Sequence, residues 1–571
     1  MSGNSIMLKQ LRLIVSALST IACVFALHAS TPRGATMRFY GDDPLQREPE
    51  TQDASRVQEW EIDLVWDLAE NLFGNPGDST PGVRARNVNT IDEVPDSNWF
   101  TNRILARPLS VEEAVRGPLA GGGPAPGAWS VIRPKQAGFA PGFTMHDGKG
   151  ETWFVSFDAN GFPEAATGAI LVANKIFWAL GYWQVENHLV RIRPDQLVIA
   201  DTATATPPSG KPRKMKFSDL EEVLRRSHRS EDGSYRAIAA RAVPGKPLGG
   251  FRYYGTRPDD PNDVVPHEHR RELRALKVFG AWTNLVDMKA GNTLDSLITE
   301  NGKTVVRHYL QDVGSTFGTG ANAPREYDEG WEYLFEGDLA WKRLWTLGFS
   351  LSPWQTVHYD KNPAIGRFEG LVFDPAGWKP RVPTAAFRRA RADDTFWAAR
   401  RVMAFTNEMI RAMVETGQYT DESAAKLLAE VLIQRRDKIG KAYLNAINPV
   451  ANFALDVSGA LSFENAAVAA GVATEPSAGY AVSWASFDNT TGQVSPIGSP
   501  TTTTNRRAAA PPGLPSAPGA FVKVQIAAVK PFEPSWAIPV DVYFRRAASG
   551  WTLVGVNRLP EAVPTQSVGS R

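Results

Sequence analysis

Asp287, Lys289 and Asn292 stand at the spacing D-x-K-x-x-N, and Asp312-Val313-Gly314 follows after two apolar runs separated by Glu300-Asn301-Gly302-Lys303. A carboxylate, a cation and an amide on one loop, with a second carboxylate brought back to them, suit phosphoryl transfer. That reaction asks a protein for placement and charge rather than for covalent help. Asp287 is expected to accept the proton of an attacking hydroxyl and Lys289 to face the same phosphate. Asn292 and Asp312 are expected to offer oxygen to a divalent cation, Mg²⁺ being the natural fit. Asn301-Gly302, between "TLDSLI" and "TVVRHYL", reads as a two-residue hairpin turn that returns Asp312 to Asn292. Gly314 reads as a point of backbone freedom after that ligand. The plain alternative is that Asp287 and Asp312 only cap turns.

A loop of this kind needs a helix before it and a sheet facing it. Ala275, Val278, Trp282 and Leu285 recur at helical spacing and predict a helix over 267–285. Upstream, "WSVIR", "FTMHD" and "ETWFVSF" read as three strands; a Gly/Pro loop joins the first two, and Gly148-Lys149-Gly150 turns into the third. Pro163 and Glu164 open a predicted helix along Ile170, Ala173, Phe177 and Leu180, which Gly181 closes. "HLVRI", "QLVIA" and "YRAIAARAV" predict further strands around a polar insertion at 201–233. Helices over 395–413 and 422–441 supply a helical second lobe. The predicted class is α+β.

The stretch from Asp287 to Gly314 resembles the catalytic loop and metal-binding motif of the protein-kinase-like fold. Asp287, Lys289 and Asn292 match the loop's aspartate, lysine and asparagine, and Asp312-Val313-Gly314 matches the Asp-Phe-Gly motif. From Trp129 the order of elements is similar to the amino-terminal lobe of atypical kinases, as in the HipA-like and secreted kinase-like families. The resemblance implies ATP and Mg²⁺, with Asp287 and Lys289 catalytic and Asn292 and Asp312 on the metal. It implies a nucleotide loop from Gly138 to Gly142. The third strand, however, carries Ser156 where the family's nucleotide lysine belongs; of Lys135 and Lys149, both within reach in sequence, Lys135 at the entry to the glycine loop is the candidate cation and Lys149 stands at the turn on the far side. Glu164 resembles the family's helix glutamate, and equally suits a helix start as a charge on the dipole. Asn284-Leu285-Val286 lacks the arginine that precedes the aspartate in phosphorylation-switched kinases, so Ser315 and Thr316 receive no regulatory role. Two functions follow as expectations: phosphoryl (or nucleotidyl) transfer from ATP to an unknown acceptor, or a catalytically silent scaffold or envelope binding protein. Ser156 and the scarcity of ATP outside the cytoplasm motivate the second.

Bulk properties narrow the field. A composition 43% hydrophobic and 22% charged excludes whole-chain disorder, and a net charge of +1 gives no reason to expect nucleic acid as a partner. Lys9 and Arg12 precede the apolar "LIVSALSTIACVFAL", which reads as a signal peptide, with an uncleaved anchor as the alternative and the only membrane contact expected. The expected location is therefore periplasmic, cell-envelope or secreted. The single cysteine, Cys23, rules out an intramolecular disulfide and sits in a poor lipobox. The expected organisation is a signal segment at 1–30, an irregular extension at 31–127, a kinase-like domain at 128–446 whose lobes meet near 250, and a β-rich module at 447–571 with a Pro/Thr-rich connector. His267-Glu268-His269 is set aside as a metal site because alternate helical residues point apart. "RPDDPND" reads as a structured turn or a substrate-facing acidic segment.

Overall fold

Alternating apolar residues in Trp129–Pro134 (β1), Gly142–His146 (β2) and Thr152–Phe157 (β3) form an antiparallel meander in a computed structural model of the chain. The structure describes residues 38–559 apart from 136, 137, 139, 208 and 209, so the expected signal segment and Cys23 lie outside the described residues. Asn187–Ile192 (β4) and Leu197–Ile199 (β5) join the same sheet; Thr204–Ala205 (β6) and Arg213–Lys214 (β7) form a separate small hairpin. Tyr235–Arg241 (β8) completes a six-stranded sheet of order β4-β8-β3-β2-β1-β5. One face of it buries Val131, Phe143, Met145, Trp153, Val155 and Phe157 in a core of its own.

What covers that face is the segment expected to be a polar insertion. Its helix Phe217–Arg226 turns Leu220 and Val223 into the sheet core, and Met215 joins them. Two apolar residues at i and i+3 are enough to seat a helix whose other faces are charged. The helix Ala165–Leu180 packs elsewhere: Ala169, Val172, Ala173, Ile176 and Phe177 belong to the larger core of the helical lobe.

The predicted 267–285 helix starts later than expected. His267–His269 is a 3₁₀ turn, Arg270 is extended (φ −86°, ψ 123°), and helical backbone runs through Arg271–Arg274, Ala275 and Leu276–Thr283. Asn284 then turns left-handed (φ 55°) and closes it. The delayed start accompanies three consecutive needs of buried charge, since His267, His269 and Arg270 each turn to a different carboxylate, on Asp263, Asp78 and Glu48. Ala275, Val278, Trp282 and Leu285 are buried as expected. The 395–413 helix is two, Ala392–Met403 and Asn407–Glu415, because Thr406 caps the second by accepting from Met409 N. The third long helix is Glu422–Leu444.

Residues before the sheet are irregular in part, yet deeply seated. Helices Leu64–Phe73 and Val111–Arg116 are capped by Asp63 and by a Ser110/Glu113 capping box, and Val94, Trp99 and Phe100 enter the main core. At the other end, Tyr480–Phe487, Phe521–Ala528, Val540–Ala547 and Gly550–Asn557 pair antiparallel in that order. The connector between the first two contributes short strands, Thr501–Thr503 and Arg507–Ala509. Val482, Trp484, Val524 and Val542 continue the core of the helical lobe without a break.

Candidate active site

The loop that follows Asn284 is short and tied to itself. Asn292 Nδ2 donates to the backbone oxygen of Asp287 at 2.7 Å, which leaves the amide oxygen Oδ1 free of that bond. Lys289 Nζ lies 2.9 Å from Asp287 Oδ2. A hairpin then leaves and returns: Leu294–Glu300 (labelled β9) and Lys303–Tyr309 (labelled β10) pair from Leu294↔Tyr309 to Glu300↔Lys303. Asn301 and Gly302 take φ of 51° and 74°, the doubly left-handed turn that matches strand twist and that glycine and asparagine adopt most readily. The returning chain donates from Asp312 N to Asn292 O at 3.0 Å. Asp287, Asn292 and Asp312, spread over 26 residues of sequence, are thus joined by two consecutive hydrogen bonds.

Gly314 is there for space rather than for backbone freedom, which corrects the expectation. It is absent from the left-handed region, and a Cβ on it would stand 2.9 Å from Ile170 Cγ1 and 3.2 Å from Asp312 Oδ1. Its N–H donates to Asp312 Oδ1 at 2.9 Å, which leaves Oδ2 free of that bond on an exposed residue. The contact with Ile170 also presses the motif against the Ala165–Leu180 helix. A second tie holds it there: Asn174 donates to Gln184 Oε1 at 3.1 Å, and Gln184 donates to Leu310 O at 2.7 Å, two residues before Asp312.

The donors left over are carboxylate and amide oxygens, a hard set suited to Mg²⁺, though short of the six that ion takes, so phosphate oxygens or water would complete its shell. Among the described residues no group of three or more His, Cys, Asp or Glu could hold a metal ion by itself. His267 and His269 are apart, on Asp263 at 2.7 Å and Asp78 at 3.0 Å. "RPDDPND" folds as a structured turn that leaves Pro258 and Asp259 exposed. Arg257, Asp260 and Asp263 are buried, and Arg257 pairs with Asp295 at 3.1 Å, bracing the hairpin from behind. Against the cost of burial, His267 and Arg270 hold the Asp263 carboxyl well below the ordinary range.

The expected nucleotide residues lie on the sheet lobe and around its helix. Ser156 shares with Phe154 the face of β3 turned away from the lobe's own core. Lys135 is exposed just beyond β1, its N–H bonded to Gly142 O at 2.9 Å, and its Nζ lies near Gly138, which has φ of 79°. Gly142 is a close approach: a Cβ there would meet Val155 O at 2.2 Å. Glu164, at the helix start, accepts from Thr420 N at 2.8 Å and from the Thr420 hydroxyl. These positions spread across the lobe rather than converging as the loop residues do.

Two residues beside Asp287 carry no sequence signal. Arg325 Nη2 lies 3.9 Å from Asp287 Oδ2, donates to Ser315 Oγ, and its Nε lies 3.5 Å from Glu329 Oε2. Nothing in "NAPREYDEGW" announces Arg325 or Glu329, because only the packing of that loop brings them to Asp287. Lys175, away from the loop, is likewise unannounced in the sequence. It is 4% exposed, on the Ala165–Leu180 helix, with its stem against Gly117. Burial lowers its ammonium to about 8. The unfolded chain therefore holds this proton up to about pH 10.4 while the folded chain releases it near 8. The destabilisation is full below pH 8 and fades as pH rises toward 10.4. Lys175→Met is expected to raise stability at pH 7 by up to about 3 kcal/mol. The gain should shrink toward zero by pH 10 in urea melts of the two proteins.

A sheet lobe, a helix beside it, a helical lobe and a hairpin-closed loop at the junction make an α+β architecture compatible with the protein-kinase-like fold. No family model matches the sequence, and no curated protein matches it. Two solved structures show a remote likeness, the crystal structure of the Golgi casein kinase and that of the Golgi casein kinase with Mn/ADP bound. Each is 8% identical and covers 70% of this chain, over 94% and 95% of the other, at a TM-score of 0.28. A likeness that remote carries no argument about this chain. Among the described residues no helix is long and apolar enough to cross a membrane.

Proposed function

We propose that this chain is an atypical kinase that transfers the γ-phosphoryl group of ATP to a hydroxyl of an acceptor. The observation that carries the reading is the bond from Asp312 N to Asn292 O, which unites the returning carboxylate with a loop already closed on Asp287. Asp287 accepts the acceptor's proton as its oxygen attacks phosphorus. Lys289 and Arg325 supply positive charge where phosphoryl oxygens would lie. Asn292 Oδ1 and Asp312 Oδ2 would hold Mg²⁺, which when bound neutralises phosphate charge and aligns the nucleotide. Lys135 is the residue proposed to reach the remaining phosphates from the sheet lobe. The apolar stretch after Lys9 and Arg12 supports export as part of this reading, and a C-terminal fusion reporter active only outside the cytoplasm checks it.

The test is calorimetric titration of the full chain with Mg-ATP. Binding is expected in the wild type, at least tenfold weaker in Asp312→Ala and weaker in Lys135→Ala. A specific feature favours a second reading, a kinase-like scaffold without catalysis: Ser156 stands on β3, on the face away from the lobe's own core, in place of a cation. That reading expects no heat from Mg-ATP at any concentration tried.

A further inference from the structure

A cavity of about 400 Å³ lies beside the loop of Asp287, lined wholly by the helical lobe. Its wall begins where the site ends. Arg325 reaches Asp287 with one nitrogen and Glu329 with another, and Arg381 donates its backbone N–H to Val286 O at 2.9 Å while its Nε lies 3.7 Å from Glu329 Oε1. Glu329 is itself part of the cavity lining. An occupant of the cavity would sit one guanidinium away from the proposed base.

The lining combines aromatic rings with unsatisfied acceptors. Trp331, Trp354 and Trp378 all contribute, and each indole N–H is already committed, to Tyr359 Oη at 3.2 Å, Glu332 Oε1 at 2.6 Å and Asn284 Oδ1 at 2.8 Å. What these rings can still offer is π surface. Glu369 is 8% exposed; its Oε2 accepts from Val372 N at 2.9 Å, while its Oε1 is buried without a hydrogen-bond partner. Glu329 Oε2 is likewise buried and without a hydrogen bond. A buried acceptor left unpaired is costly and calls for a donor. Positive charge already stands near both carboxylates: Arg325 and Arg381 lie beside Glu329, and Arg435, whose Nε donates to the backbone oxygen of Glu369 at 2.6 Å, feels the Glu369 charge without a hydrogen bond to its carboxylate. The missing donor is therefore a neutral hydroxyl rather than a cation. A cavity of this size suits a small molecule and not a folded protein surface.

We propose that this cavity is the acceptor site of the enzyme and that the acceptor is a hydroxyl-rich sugar, stacked on the indoles and donating hydroxyl protons to Glu369 and Glu329. The proposal rests on the kinase reading for its chemistry, but the binding site stands without it. In the transfer, a sugar hydroxyl oxygen forms a bond to the γ-phosphorus as the bond to the β,γ-bridging oxygen breaks. The electron pair leaves on the nucleoside diphosphate, and the proton of a sugar hydroxyl that extends past the Arg325 guanidinium passes to Asp287.

The test uses the full chain without nucleotide and a panel of probes: glucose, mannose, N-acetylglucosamine, galactose and lactose, followed by tryptophan fluorescence and calorimetry. At least one is expected to bind and to change the fluorescence, and Glu369→Gln is expected to weaken it at least tenfold with an unchanged melting temperature. Should Glu369→Gln not fold, Glu329→Gln carries the same expectation. A saccharide that binds is then expected to gain phosphate from Mg-ATP. Mg-ATP binding with no response to any saccharide overturns the cavity proposal and leaves the kinase reading intact. Saccharide binding with no Mg-ATP binding supports the cavity and overturns the kinase reading. Binding that neither Glu variant weakens, or phosphate transfer to peptides alone, overturns the proposal.

Discussion

Asp287→Asn is expected to lower ATP turnover by roughly 10² to 10⁴-fold, the usual contribution of a positioned general base, while Mg-ATP still binds. The substitution is nearly isosteric. Asn292 holds the loop through the backbone oxygen of residue 287, not through its side chain, so the hydrogen bond at 2.7 Å survives. The ties that vanish are ion pairs to Lys289 at 2.9 Å and Arg325 at 3.9 Å. Lys289 is 44% exposed, and a pair so open to water contributes only about 0–1 kcal/mol to stability. A fall in turnover with unchanged melting and unchanged calorimetric affinity identifies the lost base. Retained turnover would mean that another group takes the proton, and would remove the reason for reading Asp287 as catalytic.

The largest effect on stability is expected at Arg271, far from the chemistry. Arg271 is fully buried; its Nη1 lies 2.9 Å from Asp92, its Nε 3.0 Å from Asp394 and its Nη2 3.3 Å from Asp393. It also donates to Asp92 O at 2.8 Å. Asp92 comes from the extension before the sheet, Asp393 and Asp394 from the Ala392–Met403 helix, and Arg558, 3.3 Å from Asp92, from the chain's far end. Arg271→Met leaves three carboxylates in low dielectric with one cation fewer. Breaking a buried pair in this way costs about 3–5 kcal/mol. Arg271→Lys is expected to recover little of it, because an ammonium cannot reach three carboxylates lying in different directions as a guanidinium fork does. Urea denaturation of the full chain checks both. Equal stability of wild type and Arg271→Met would show that Arg84, Arg274, Arg391 and Arg558 suffice to balance those carboxylates.

What the amino-acid order decided by itself is local. Strand alternation made the β1–β3 meander, helical spacing made Ala165–Leu180, and Asn301-Gly302 set the register that returns Asp312 to Asn292. Each depends on backbone geometry within a few residues, and so can be read in order along the chain. The loop motif was legible for the same reason, since its spacing and its hairpin are one short-range construction.

Tertiary packing decided the rest. The 201–233 segment looked polar because only one narrow face of its helix meets the sheet core. The helix after Pro266 begins late because His267, His269 and Arg270 answer to carboxylates up to about two hundred residues away in sequence. Arg325, Glu329 and the indole-lined cavity converge from loops with no periodicity at all. Burial and long-range charge pairing are properties of the assembled core, and no window of sequence contains them.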